Sequence, residues 1–324
     1  MRASSGGPIP TFWAALELLK PITWFPPMWA FACGVVSSGA PVWDRWTLVA
    51  GGVVLAGPLV CASSQAMNDW CDRHVDAINE PDRPIPSGRL PGKTGFYIAI
   101  LWSALSLVLG FALGPLVLAA TVVGLILAWV YSAPPLRLKL NGWWGNAACG
   151  ISYEGLAWFT GAAVMLSAMP DWRILALAAL YSIGAHGIMT LNDFKSVLGD
   201  KRMGVRTLPV QLGADRAARV ASIMMAVPQV VVVALLFAWG LHWFALGVAA
   251  VLGIQVWLMV RYLLDDISLL LNPRRNAALY NGTGTVFFVS GMMISAVGVS
   301  HLQGSAQTVA ALTKSVAGFL SGGG

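Results

Sequence analysis

Long apolar stretches broken by short polar ones give the chain its rhythm. Nine of them approach the roughly 20 residues that an α-helix needs to cross the hydrocarbon of a bilayer. They fall at about 22–38, 47–67, 96–113, 115–133, 145–167, 172–191, 217–240, 243–263 and 284–302. A Gly114-Pro115 pair separates the third from the fourth and predicts a tight turn. Pro26-Pro27 and Pro58 fall inside apolar runs, where they predict kinks that neighbouring helices can accommodate. The pattern predicts an all-α polytopic membrane protein with about nine transmembrane helices.

Composition agrees and narrows the function. Hydrophobic residues make up 57% of the 324 and charged residues 10%, against about 25% charged in soluble domains. That excludes a disordered chain, an ordinary soluble enzyme and a nucleic-acid-binding domain with a basic face. The net charge of +6 fits the Lys/Arg excess of cytoplasmic loops instead. With the N-terminus inside, seventeen Lys and Arg fall on the cytoplasmic side, and only Arg45, Arg173 and Lys314 fall opposite. Residues 1–20 then form a retained cytoplasmic tail, 21–302 the membrane domain, and 303–324 a Gly/Ser-rich tail with no assigned function. Cys33, Cys61, Cys71 and Cys149 show no metal-type spacing. Trp46, Trp70, Trp102, Trp143 and Trp172 lie at the ends of apolar runs, as an interfacial belt would place them.

The few acids are concentrated. Asp69, Asp72, Asp76, Glu80 and Asp82 follow directly on the second span. Asn68, Asp72 and Asp76 are four apart and share one face if the helix continues. Like charges at that spacing repel, and a divalent cation would compensate them; Mg²⁺ takes one or two carboxylates plus phosphate oxygens. A second group, Asn192, Asp193, Lys195, Ser196, Asp200, Lys201 and Arg202, follows the sixth span. Asn192, Ser196 and Asp200 repeat the four-residue spacing, and Asp193 and Asp200 lie two helical turns apart. Two groups of like spacing on one side suggest paired helix sets that bring carboxylates to one central cavity open to the cytoplasm.

These motifs resemble the UbiA-type intramembrane prenyltransferases. The run Asn79-Glu80-Pro81-Asp82-Arg83-Pro84-Ile85-Pro86-Ser87-Gly88 is similar to their chlorophyll and bacteriochlorophyll synthase branch. So are Tyr131-Ser132-Ala133-Pro134-Pro135-Leu136-Arg137-Leu138-Lys139, Asn192-Asp193-Phe194-Lys195-Ser196 and Gly204-Val205-Arg206-Thr207-Leu208-Pro209. Ile22 to Trp29, Asn68 to Asp76 and Tyr153 to Leu156 are most similar to the bacteriochlorophyll synthases of purple bacteria. The resemblance runs from about Leu18 to Gly298. One departure is Ser196, where many relatives carry the first Asp of a DxxxD pair.

The resemblance implies a UbiA-like fold in a bacterial inner (intracytoplasmic) membrane. It implies transfer of a C20 group from geranylgeranyl or phytyl diphosphate to the propionate of bacteriochlorophyllide, or of chlorophyllide as the alternative. It implies Mg²⁺ on Asn68, Asp72, Asp76, Asp193 and Asp200, and contact with other pigment-biosynthesis proteins. Asn192, Tyr131, Arg83, Lys139, Lys195, Lys201 and Arg202 are the candidates to hold substrate, although each cation also fits the positive-inside pattern. Glu154, inside the fifth span, contacts pigment or pairs with a neighbouring span. His186, in the sixth, either ligates the chlorin magnesium or is a hydrogen-bonded core histidine. The connection from Pro81 to Pro91, with four prolines, is stiff and can serve as a lid or as a plain connector. A transporter would share the outline but place its acids near mid-membrane.

Overall fold

A computed structural model describes residues 11–264, 280–282 and 284–303. The described chain is helical: α1 (Thr11–Leu19), α2 (Phe25–Ser37), α3 (Trp46–Val54), α4 (Ala62–Asn79), α5 (Thr94–Leu113), α6 (Pro115–Ser132), α7 (Gly142–Gly150), α8 (Ala157–Leu166), α9 (Trp172–Asn192), α10 (Val197–Arg202), α11 (Leu208–Leu212), α12 (Ala214–Ala238) and α13 (His242–Met259), and α14 (Tyr280–Gln303). Among the described residues, seven helical segments are long and apolar enough to cross a membrane. Nine were expected. The remaining two segments are helical as well, but stand outside that group. Helix α2 has 13 residues, about 20 Å at 1.5 Å per residue, which is short of the hydrocarbon thickness. The other, α7 through α8, is divided by a π-turn at Ile151–Leu156 and carries polar Asn146 and Glu154.

Local chemistry sets the boundaries. Gly114 holds φ at 125°, a value that excludes a side chain, and Pro115 starts α6, so α5 and α6 form a hairpin. Asn141 caps α7 through Trp143 N at 3.0 Å, and Asp171 caps α9 through Arg173 N at 2.9 Å. The kink expected at Pro58 is a π-turn, Leu55–Cys61. Proline cannot donate to the helical ladder, and the Pro58 carbonyl accepts from Trp102 Nε1 at 2.9 Å.

The trunk is held by backbone approach. A Cβ at Gly34 would lie 2.0 Å from Trp158 O, and one at Gly161 would lie 2.1 Å from Phe31 O. Helices α2 and α8 therefore touch main chain to main chain, the close packing that lipid-embedded helices favour. Behind them the Trp158 ring stacks on Tyr181 at 5.6 Å, and Phe288 meets Tyr181 edge-on at 5.3 Å. Buried polar groups are matched across helices: Trp158 Nε1 donates to Ser37 Oγ, and Gln229 Nε2 to Gln255 Oε1.

The four cysteines are free. Of the expected belt, Trp46, Trp143 and Trp172 are exposed. Trp70 instead lies under the Arg73 guanidinium at 4.1 Å, and Trp102 is turned toward Pro58. The amino-terminal tail carries α1, whose Ala14 and Leu18 are buried against Ala62, Ala66 and Leu90. The tail expected at 303–324 lies, from residue 304 on, outside the described residues.

Candidate active site

Helix α4 is unbroken through Asn79, so Asn68, Asp72 and Asp76 do share a face. Each acid there meets a cation from another segment. Asp72 pairs with Lys139 Nζ and, at 3.6 Å, with Arg137 Nη2, both from the connection after α6. Asp76 Oδ2 accepts from Arg83 Nη1 at 2.9 Å. Asp69, only 2% exposed, holds Lys20 Nζ at 2.6 Å and lies 3.5 Å from the same Arg83 nitrogen. Burial alone would favour a neutral guanidine, but Asp69 and Asp76 outweigh it and push Arg83 up, so it stays a fixed cation. Asn68 Nδ2 donates to Ser132 Oγ at 3.1 Å, which leaves its carbonyl oxygen as a free acceptor type. Arg73 turns away onto Trp70.

Lys20 and Arg137 share a further property. Both have left-handed backbones, at φ 47° and 41°, which costs a non-glycine residue energy and is tolerated where surroundings enforce it. Two of the three such residues among those described thus serve the first acid set.

The second set departs from expectation in geometry. Helix α9 stops at Asn192, a 3₁₀ turn occupies Asp193–Lys195, and α10 starts at Val197. The four-residue spacing of Asn192, Ser196 and Asp200 is therefore not one helical face. Asp193 and Asp200 still come within electrostatic range of each other, through the bend. Asp193 Oδ2 accepts from Asn146 Nδ2 at 3.2 Å, and Asp200 Oδ2 from Ser196 Oγ at 2.6 Å and Thr207 Oγ1 at 3.2 Å. Among the described residues no ion pair reaches either carboxylate. Lys195 instead folds back on Asn192 Oδ1 at 3.0 Å, and Lys201 and Arg202 are exposed on α10.

Tyr131, at the end of α6, lies within electrostatic range of Cys149, Asp72 and Asp193. The motif segments that hold them are also tied together. Gly142 N donates to Arg206 O at 2.8 Å and Arg206 N to Leu140 O at 2.9 Å. A Cβ at Gly142 would lie 2.6 Å from Leu208 N, so glycine is what allows this bridge. The proline-rich connection is ordered by its own backbone bonds, Ser87 N to Arg83 O and Leu90 N to Pro84 O, and Arg89 clasps Glu17 of α1 with both terminal nitrogens.

Glu154 is 5% exposed in the π-turn, with Oε2 unpartnered and Cys33 nearby. His186 is 4% exposed. Neither joins the acids. Asp69, Lys20, Arg137, Asn146 and Thr207 belong to the site but were not singled out from sequence. Asp69 stands in the first acidic run and Arg137 and Thr207 in the matched motifs, which are the signals for them; Asn146 is a polar residue at the start of an apolar run, and Lys20 carries no signal beyond its charge.

Among the described residues, no three His, Cys, Asp or Glu side chains converge closely enough to enclose a metal by themselves. The donor set is nonetheless all oxygen on the acid side, as a hard divalent cation requires. Among the described residues, the second set's two mutually repelling carboxylates accept hydrogen bonds from neutral donors alone, with the Lys195 charge within electrostatic range of Asp193. That arrangement fits a cation shared with the oxygens of an anionic substrate. Burial pushes the Asp200 carboxyl above the ordinary carboxylate range, and the Ser196 and Thr207 hydroxyls offset part of this. A raised folded pKa means that ionisation costs stability as pH rises from the ordinary range through the raised value. In magnesium-free protein, Asp200→Asn is expected to gain in Tm on the wild type across that window. Parallel thermal melts should show no pH-dependent difference below it.

A membrane-spanning helical protein that gathers two acid sets, with cations, at one end of its bundle is built to hold a charged group beside an apolar interior. Comparison places it. Residues 23–271 match the UbiA prenyltransferase family. The chain is 53% identical over 290 residues to the bacteriochlorophyll synthase 33 kDa chain of Cereibacter sphaeroides, covering 90% of this chain and 94% of that one. It is 38% identical to the chloroplastic chlorophyll synthase of Oryza sativa, over 88% of this chain and 76% of that one. Its fold is similar to that of a UbiA homologue from Archaeoglobus fulgidus bound to GPP and Mg²⁺, with a TM-score of 0.65 at 21% identity, over 85% and 99% of the two chains. The chain belongs to the UbiA prenyltransferase family, and is a multi-span membrane prenyltransferase. A transporter is set aside.

Proposed function

We propose that the protein transfers a C20 prenyl group from geranylgeranyl or phytyl diphosphate to the propionate carboxylate of bacteriochlorophyllide, releasing diphosphate. The observation that carries this is the contrast between the two acid sets, one already neutralised by Lys139, Arg137 and Arg83 and the other, among the described residues, without ion pairs. Asp193 and Asp200, with Asn68, Asp72 and Asp76, would hold Mg²⁺. When bound, the ion neutralises diphosphate charge as a Lewis acid and so makes a better leaving group. Lys139, Arg137 and Arg83 stand at the same end to receive phosphate oxygens.

The bond from prenyl carbon to diphosphate oxygen breaks, and a carboxylate oxygen of the acceptor bonds to that carbon. A carboxylic acid with an ordinary pKa near 4 is already ionised at neutral pH, so the acceptor needs no general base. The apolar trunk suits the prenyl chain and keeps water from an allylic cation. The Lys/Arg distribution supports a bacterial inner membrane setting with the acid end cytoplasmic.

Bacteriochlorophyllide is favoured over chlorophyllide because the identity is 53% to one synthase and 38% to the other. Membranes containing only this protein, given Mg²⁺, geranylgeranyl diphosphate and either pigment, are expected to yield esterified bacteriochlorophyllide on chromatography. No ester from either acceptor, with folding verified, overturns the proposal; preference for chlorophyllide reverses the acceptor.

A further inference from the structure

Asp200 is held by one oxygen only. Ser196 Oγ donates to its Oδ2 at 2.6 Å, and Thr207 Oγ1 donates to the same atom at 3.2 Å. Among the described residues no donor reaches Oδ1, and Oδ1 is not one of the buried oxygens left without a partner, so it keeps an open face. Both hydroxyls forgo their ordinary use. Ser196 and Thr207 are the N-cap residues of α10 and α11, where such side chains usually accept from a backbone N–H. Here neither side chain caps its helix. The Ser196 hydroxyl also lies 3.1 Å from Asp193 O. It has one proton to give, and 2.6 Å is the length of a charge-assisted bond to a carboxylate. Thr207 follows Arg206, whose backbone is tied to Leu140 and Gly142 beside Lys139, so its aim is fixed relative to the first acid set.

Asp193 repeats this division. Its Oδ2 accepts from Asn146 Nδ2 at 3.2 Å, and no donor among the described residues reaches Oδ1. The Thr190 hydroxyl donates its one proton to His186 O, so toward Asn146 it can only accept, which fixes the amide nitrogen on the side of the carboxylate. Neutral donors orient a carboxylate without neutralising it. A carboxylate with one oxygen occupied offers a metal only the other. Mg²⁺ demands a near-ideal octahedron, whereas Ca²⁺ also takes both oxygens of one carboxylate. We infer that Ser196, Thr207 and Asn146 are positioning residues, which clamp one oxygen of each acid so that Asp200 Oδ1 and Asp193 Oδ1 meet a small divalent cation one oxygen apiece and Ca²⁺ is disfavoured. The inference rests on the metal role proposed above.

The test measures Mn²⁺ retained by the full-length protein in lipid nanodiscs with inorganic diphosphate, read by electron paramagnetic resonance against empty nanodiscs and then displaced by Mg²⁺ or Ca²⁺. Ser196→Ala and Thr207→Val should each lose about tenfold in affinity, the scale on which support of a metal ligand acts. Ser196→Thr keeps the hydroxyl and should restore the affinity. In protein already carrying Asp200→Asn, Ser196→Ala should cost nothing further, because its effect passes through that carboxylate. The double variant Ser196→Ala with Thr207→Val should hold Ca²⁺ better, relative to Mg²⁺, than the wild type does. Thermal melts of the same samples ensure that folded proteins are compared. Affinities unchanged by either substitution, an equal loss in the Asp200→Asn background, or an unchanged preference between Mg²⁺ and Ca²⁺ overturns the inference. Ester formed by a protein whose Mn²⁺ binding ignores Ser196 and Thr207 sinks this inference alone, whereas binding that depends on them without ester formation sinks the proposed reaction alone.

Discussion

Asp72→Asn is expected to lose at least about a hundredfold in turnover, the scale on which removing one preorganised charge-stabilising group acts, while the protein stays folded. The substitution keeps the shape of the side chain and one acceptor oxygen, and removes the charge. Two things follow from that loss. The first acid set gives up a hard anionic ligand. Lys139 and Arg137, which are 13% and 33% exposed and share this carboxylate, are left facing each other. Asp72 itself is 21% exposed, so water screens the stability cost well below that of breaking a buried pair. Pigment ester formed per minute, read beside helix content and elution volume, separates the two effects. Full activity at ordinary magnesium would refute the role of this carboxylate.

Gly34→Val should be the most damaging change in the trunk. Its new Cβ would sit 2.0 Å from Trp158 O, 2.8 Å from Trp158 C and 2.9 Å from Ala162 N. All three atoms are backbone, so no rotamer change relieves them. Overpacking costs about 1–3 kcal/mol in typical cores and more where nothing can give, which corresponds to a fall of roughly 2–12 °C in Tm. Gly253→Val is the matched control, since a Cβ there meets nothing within 4 Å. Thermal melts of the two variants in one detergent should differ clearly; equal melts would mean that α2 and α8 are not held by backbone approach.

Much of this was legible in the chain before its structure. The first acid face was, because α4 runs on without interruption and four-residue spacing then has one geometric meaning. The second acid set was legible in identity and illegible in shape. Asn192, Ser196 and Asp200 repeat the earlier spacing, yet no Gly or Pro marks the break at Asp193–Lys195. Lys20 is legible only as positive-inside charge, and Arg137 as that and as a member of the Tyr131-to-Lys139 motif. Their role depends on left-handed backbones, which side-chain type does not announce. At 22–38 the apolar run is longer than its helix: α2 starts only after the 3₁₀ turn at Pro21–Thr23.

The π-turn at Leu55–Cys61 carries a consequence for how such a chain can change over generations. A π-turn is an α-helix with a surplus residue, and one residue is worth about 100° of rotation. Losing one residue there would regularise the helix, yet swing Asn68, Asp72 and Asp76 about a quarter-turn away from Ser132, Lys139 and Arg83. Substitutions among Leu55 to Cys61 alter packing alone, whereas a single-codon deletion would misaim every acid beyond it. The count of residues between trunk and acids is thus inherited more strictly than their identity.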